Sequence, residues 1–323
     1  MTHYVSLLVH EEPDVVADQL ANLDRFFPGA IATLHVSRSA SFTPAELTAR
    51  LERSPARNWL VQEEQAATVW GDILNGHLIN LRAVLARDDV RSVSFHASND
   101  LLVRSGVSAV LERSPGLWNR RVIDRPSRWY FARAMRADAP FLAAVRDLGD
   151  GPVVMSQIEG TSYTAESLGS VVPVVEEIMR ARGAADFPAY ANEELYLPTL
   201  AEAFGARSGG HPYILSEIFK LERVSRPVVA VALPGPLSRV WLRKYEALSM
   251  QGNQLFMRRA ARYGITREDV DRVRTERHSP GQLSIIGSRG RDQVYDPEAL
   301  FGVKRVERRM DDPLRQYIGT LKA

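Results

Sequence analysis

Apolar and polar positions along the first hundred residues switch between two periods. Residues 4–10, Tyr-Val-Ser-Leu-Leu-Val-His, form a short apolar run with a polar end, which predicts a buried strand opening into a loop. Residues 13–26 carry Val15, Val16, Leu20 and Leu23 at helical spacing, and Phe27-Pro28-Gly29 stops that helix. A second strand follows at 31–36. Strand, helix and strand at this spacing predict a βαβ unit and a mainly parallel sheet. The pattern continues with a short strand at 58–62, a helix opening at Trp70-Gly71 and running through Leu85, and a strand at 90–96. Ala97-Ser98-Asn99-Asp100 then forms a loop.

The second half is less regular. Residues 105–150 are rich in Arg, Trp and Pro and resist assignment. A strand is predicted at 153–156, a turn at Glu159-Gly160-Thr161-Ser162, and a helix to about Arg182. Asn192-Glu193-Glu194 precedes a helix to about Phe204. Further strands are predicted at 228–233, between Pro227 and Pro234, and at 284–286. Residues 238–273 read as largely helical, and a final helix follows Asp311.

Length allows one large α/β domain or two modest ones, and with no low-complexity linker or internal repeat the 323 residues read as a single domain with halves 1–105 and 106–323. Composition is that of a globular protein, with 45% hydrophobic and 25% charged residues. A net charge of +2 gives no reason to expect nucleic acid as a partner. There is no cysteine, which removes thiol nucleophiles, disulfides and thiolate metal sites and fits a reducing compartment. The N-terminus lacks the pattern of a signal peptide, and no apolar run reaches the roughly 18–20 residues that span a bilayer, so a cytoplasmic location is expected. The basic cluster Lys304, Arg305, Arg308 and Arg309, with Arg315 beyond it, offers at most a weak peripheral contact with the anionic inner face of a membrane.

Common catalytic signatures are absent. There is no Walker A loop, no Gly-x-Gly-x-x-Gly after the first strand, no His-Glu-x-x-His and no Gly-x-Ser-x-Gly. Nor does an Asp-x-Asp follow a strand, so no metal is expected. Ligands of open α/β sheets collect at strand carboxyl ends, and His10, Ser37 and Asp100 each lie just past one. They read equally well as loop polars and helix caps. The acidic pair Glu193-Glu194 is placed for catalysis, or simply to interact with a helix macrodipole. The run from Phe301 to Arg309 is either an anion site or a solvated basic face.

Taken together, these segments resemble the β-1,6-N-acetylglucosaminyltransferase family that makes core-2 and I-type branches, together with its bacterial relatives. Val9-His10 and Leu34-His35-Val36-Ser37 look like the first two strands of that family, the second of which usually ends in His-Val-Asp. Trp70-Gly71 is similar to its Trp-Gly, Ala97-Ser98-Asn99-Asp100 to its Ser-Gly-x-Asp loop, and Gly160-Thr161-Ser162-Tyr163 to its Gly-Ser-x-Tyr/Trp segment. Asn192-Glu193-Glu194 with Thr199 fits its Pro-Asp-Glu followed by Thr, and Phe301-x-x-Lys304 its Phe-Ala-x-Lys-Phe. Each motif is short, and their order over most of the chain carries the resemblance. Ser37 departs from the expected aspartate, and the family's many cysteines and membrane stem are missing.

The resemblance implies a GT-A-like fold, with a mainly parallel Rossmann-type sheet flanked by helices, a nucleotide-binding first half and an acceptor-binding second half. It implies an inverting, metal-independent transfer of sugar from a nucleotide-sugar, UDP-linked by expectation, to a glycan hydroxyl. Glu194 would be the catalytic base. Lys304, with Arg305 or Arg277, would bind the donor diphosphate, and His10, Ser37 and Asp100 the nucleoside. Glu159, Tyr163, Glu193 and Tyr196 would face the acceptor, although core packing is the better-supported use for at least one of the two tyrosines. Expected partners are the nucleotide-sugar and a glycan or lipid-linked oligosaccharide of bacterial surface polysaccharide synthesis. Two rivals stand beside this reading: an Mg2+-dependent nucleotidyl or phosphoryl transferase, and a non-catalytic carbohydrate-binding protein.

Overall fold

A computed structural model describes residues 1–69, 71–123, 130–183, 190–216, 265–275 and 297–323. Trp70, the expected strands at 228–233 and 284–286, most of the expected helix 238–273, and Arg277 lie outside the described residues.

The first half alternates strands and helices as its periodicity predicts. β1 (Thr2–Val9), α1 (Pro13–Phe26), β2 (Ile31–Val36), α2 (Pro44–Glu52), β3 (Trp59–Gln62), α3 (Leu74–Leu85) and β4 (Val90–Ala97) follow in order. Helix α1 has the expected bounds, with Pro13 in its first turn, where a missing N–H costs nothing. Helix α3 begins at Leu74, later than Trp70-Gly71 suggested.

Five strands form the central sheet in the order β3-β2-β1-β4-β8, where β8 is Ser162–Thr164. The pairings β2–β3, β1–β2 and β1–β4 are parallel, whereas β8 joins β4 antiparallel at the edge. This is the α/β class expected from the sequence, with the 3-2-1-4 order of a Rossmann-type half. Strand β1 is central and buried on both faces. Val5, Leu7 and Val9 join a core with α1 and α2, while Tyr4 faces a second core with α3. A parallel strand covered on both sides reads as a near-continuous apolar run, and β1 was predictable for that reason.

After β4 come β5 (Leu101–Leu102), α4 (Val107–Arg113), β6 (Arg121–Val122), α5 (Tyr130–Ala137), α6 (Ala139–Asp147) and β7 (Val154–Met155). Helices α7 (Ala165–Arg182) and α8 (Glu193–Ala203) pack with α6 and α3 in the second core. The remaining elements are β9 (Ile214–Leu215), α9 (Arg267–Arg274), β10 (Gly302–Val303) and α10 (Pro313–Gly319). β10 pairs antiparallel with β5 and parallel with β9, and β6 pairs with β7.

Polar side chains on α1 fix the loop that follows β4. Asn22 exchanges two hydrogen bonds with the Leu102 backbone, each 2.8 Å long. Gln19 donates to the carbonyls of Ala97 and Asp100 at 2.8 and 3.0 Å. The C-terminal tail also returns to α1. Buried Arg315 ion-pairs with Asp18, and Arg25 donates to the Gly319 carbonyl at 2.7 Å. These contacts carry residues 304–309 across the carboxyl ends of β1 and β4. Among the described residues, no helix is long and apolar enough to cross a membrane.

Candidate active site

The sheet order reverses between β1 and β4, and a crevice for ligands is expected outside their carboxyl ends. Two clusters of charge lie there.

The first joins the ends of β1 and β4 to the tail. Glu11 is buried just past β1, and its Oε1 accepts from the Ser98 hydroxyl and the Arg308 guanidinium, both at 2.5 Å. Arg308 Nε also donates to Ser98 Oγ at 3.1 Å. His10 is half-exposed beside them, with Nε2 3.2 Å from Glu11 Oε1. Glu11 was assigned no role from the sequence, and Arg308 only a place in the basic run. An acidic residue directly after the central strand was the available signal for Glu11.

The second cluster gathers four carboxylates from three separate segments around Lys304. Lys304 follows β10 and ion-pairs with Glu159 in the turn before β8. That turn is tightly made. Gly160 has φ of +75°, and a Cβ there would lie 2.4 Å from the Ile214 nitrogen. Its N–H donates to the Phe95 carbonyl at 2.8 Å, and Gln157 Nε2 bridges the carbonyls of Glu159 and Ile214. On the other side, the Lys304 N–H donates to the Leu215 carbonyl at 2.9 Å. The two halves of the ion pair are thus held by neighbouring backbone.

Asp100, Glu193 and Glu194 complete the cluster, close enough to Glu159 and Lys304 to feel their charges. Burial, reinforced by Glu159 and opposed by Lys304, pushes the Asp100 carboxyl up to about 8. Glu193 lies in the first turn of α8. Burial raises it to about 8 as well, with Glu159 and Asp72 adding to the rise and its own N–H and Lys304 opposing it. Glu194 keeps some solvent exposure, yet protein surrounds it closely. Burial first, then Glu159 and Glu193, raise it well above the ordinary carboxylate range, against Lys304 and Arg121. Arg121 comes from β6, in the stretch the sequence left unassigned. The acidic pair therefore starts α8 instead of preceding it, and its ionisation is dominated by burial and neighbouring acids, whatever the helix macrodipole adds.

Arg305 adjoins Lys304 with a left-handed backbone, φ +74°, which costs a non-glycine residue about 1–3 kcal/mol. Its Nε is buried without a hydrogen-bond partner, and burial lowers its proton affinity despite Glu159 and Asp100. The basic run is thus folded into the crevice at Lys304 and Arg305 instead of forming a solvated face.

The other expected site residues are placed differently. Ser37 is buried, and its hydroxyl accepts the Thr68 N–H at 3.2 Å, tying the loop after β2. Tyr163 and Tyr196 are core residues, and neither ring offers a face to a sugar. Tyr163 stacks on Trp118 with ring centroids 5.1 Å apart. Tyr196 stacks on Phe141 and donates to buried Asp138, which also accepts from Tyr190. Thr199 holds the backbone of Val154 in β7 through two hydrogen bonds of 2.9 Å. Among the described residues, no group of three His, Asp or Glu side chains is placed to hold a metal ion.

The chain matches no protein-family model. No curated protein matches its sequence either. Among the solved structures that overlap it loosely are the following two. One is a 4-diphosphocytidyl-2C-methyl-D-erythritol synthase, with 12% identity and a TM-score of 0.36 over 65% of this chain and 89% of that one. The other is the apo-form glycosyltransferase GlyE of Streptococcus pneumoniae TIGR4, with 8% identity and a TM-score of 0.39 over 72% of this chain and 52% of that one. Overlap at that level decides nothing between the two chemistries.

Proposed function

We infer that the chain is a metal-independent, inverting glycosyltransferase of GT-A-like architecture, which moves a sugar from a nucleotide-sugar to a glycan hydroxyl. The observation that carries this reading is the convergence of Glu194 and Lys304 on one cluster at the carboxyl edge of the sheet. The motif resemblance of the two segments supports it.

A sugar hydroxyl is a poor nucleophile at neutral pH, and a carboxylate must take its proton as it attacks the anomeric carbon. Glu194 fills that role. Its raised proton affinity makes it a stronger acceptor than an ordinary glutamate whenever it is ionised. As the new bond forms, the anomeric C–O bond breaks and the diphosphate leaves from the opposite face with its bonding electrons. Lys304 and Arg305 supply fixed positive charge where that negative charge grows, and loss of such a contact costs about 2.7–4 kcal/mol of barrier. The first half, residues 1–105, holds the nucleoside at the β1/β4 edge, where Glu11, Ser98 and Arg308 meet. The acceptor approaches from Glu193, and the context fits a glycan or lipid-linked oligosaccharide of a bacterial surface polysaccharide.

Labelled nucleotide-sugars offered with such acceptors in EDTA test this. The expected result is transfer by the wild type and a loss of about 10²–10⁴-fold in Glu194→Gln, with donor binding kept. Transfer that needs Mg2+ favours a metal-dependent transferase. Sugar binding without donor consumption, unchanged in Glu194→Gln, favours a carbohydrate-binding protein.

A further inference from the structure

Asp100 has surroundings more specific than a general place near the nucleotide. Its side chain is 1% exposed. Oδ2 accepts the Ala97 N–H at 2.8 Å, closing the turn after β4, whereas Oδ1 is buried with no hydrogen-bond partner. Its backbone is pinned as well: its carbonyl accepts from Gln19 of α1 and its N–H donates to the Ala97 carbonyl. The charged and titratable groups facing it come from three other segments. They are Glu159 in the turn before β8, Lys304, Arg305 and Arg308 in the tail, and Tyr213 ahead of β9. The cations nearest to neutralising it are already engaged, Lys304 by Glu159 and Arg308 by Glu11.

A buried carboxylate oxygen with no donor is costly as an anion. With a proton, the same oxygen becomes a donor that lacks an acceptor. Burial and Glu159 favour that protonated form at neutral pH. A phosphate oxygen brought in beside Lys304 would supply the acceptor, and a neutral acid does not repel it. An ionised aspartate in this position, at the point where the sheet order reverses, would oppose the charge of the phosphates it faces.

We propose that Asp100 binds the donor diphosphate as a neutral carboxylic acid, donating the Oδ1 proton to a phosphate oxygen beside Lys304. This rests on the reading of the site as one for a nucleotide-sugar. The proton is shared in a hydrogen bond and is not transferred, and no bond of the donor breaks through it. Asp100 thereby adds to Lys304 a contact that carries no charge of its own.

Calorimetric titration of the full chain with UDP in EDTA, from about pH 6.5 to 9.5, tests the proposal. Wild-type affinity should be flat up to about pH 8 and then weaken, approaching tenfold per pH unit as the proton is lost. Asp100→Asn places an N–H where the acid O–H stood. It should bind UDP within about threefold of wild type at pH 7 and lose the alkaline decline. Glu193→Gln removes the other buried acid that titrates near 8, and should keep the decline. A decline that survives in Asp100→Asn, or UDP binding weakened about tenfold or more by that change at pH 7, overturns the proposal. Should Asp100→Asn fail to fold, a carbon-13 carboxyl titration of the wild type decides. An Asp100 resonance that stays neutral at pH 7 in the UDP complex supports the proposal, and an ionised one overturns it. Failure of the wild type to bind UDP or any other nucleoside diphosphate at any pH removes the nucleotide-sugar reading and the proposal with it. That pattern is distinct from failure of Asp100 alone, in which UDP still binds.

Discussion

Lys304 and Glu159 stand 145 positions apart in the chain and meet as an ion pair at the centre of the candidate site. Both are substantially buried, with side-chain exposures of 17% and 7%. Removing one member of such a pair leaves an uncompensated buried charge, which costs about 3–5 kcal/mol. Lys304→Ala should therefore destabilise the fold by about 3 kcal/mol in chemical denaturation. Adding Glu159→Gln to it should restore most of the loss, because the stranded charge is then gone. Equal and additive losses would show that the pair contributes nothing specific.

The raised carboxyls set a pH dependence of stability. Asp100 and Glu193 both rise to about 8 in the folded chain, from ordinary values of 3.8 and 4.5. The folded state holds these protons more tightly than the unfolded state. Their contribution is thus complete below about pH 4 and is lost as pH rises towards 8. Unfolding free energy should fall between pH 5 and pH 8, by on the order of a few kcal/mol. Glu193→Gln should flatten that slope, as read from denaturant midpoints. A slope unchanged in Glu193→Gln would contradict the burial of its carboxyl as an acid.

Gly160 holds the turn that aims Glu159. Alanine there combines a left-handed backbone with a Cβ 2.4 Å from the Ile214 nitrogen. Gly205 has a similar φ of +86°, but open space around its missing Cβ. Gly160→Ala should cost well over 2 kcal/mol, against about 1 kcal/mol for Gly205→Ala. Thermal unfolding of the two variants checks this, and similar losses would mean the close approach at Ile214 relaxes freely.

The parallel strands were legible because β1, β2 and β4 are almost wholly buried and the first helix has a clear apolar stripe, whereas the edge strand β8 falls where a turn and a helix were expected. Val5, Leu7, Val9, Leu20 and Leu23 are core residues in the structure, in the elements that their spacing predicts. Helices α4, α5 and α6 were not legible, since short, Arg- and Pro-interrupted segments show no sustained period. The site was legible residue by residue but not as an arrangement. Asp100, Glu159, Glu193, Glu194, Lys304 and Arg305 come together through strand order, which local pattern does not encode. Glu11 was missed because it reads alone as an ordinary loop charge, and Arg308 was seen only as part of a basic run, without its partner Glu11. Tyr196 was expected at the acceptor only as part of what the family resemblance implies. This helical neighbour of Glu194 points elsewhere, and its hydroxyl is spent on Asp138.

The central claim is that Lys304 binds a nucleoside diphosphate without a metal. A thermal-shift screen of nucleotides and nucleotide-sugars, each in EDTA and in excess Mg2+, tests it on wild type and Lys304→Ala. A ligand that binds only the folded chain raises its melting temperature by mass action, whatever the acceptor. Stabilisation by a nucleoside diphosphate in EDTA, lost in Lys304→Ala relative to that variant's own baseline, is the predicted result. Stabilisation that appears only with Mg2+, or that survives intact in Lys304→Ala, would contradict it.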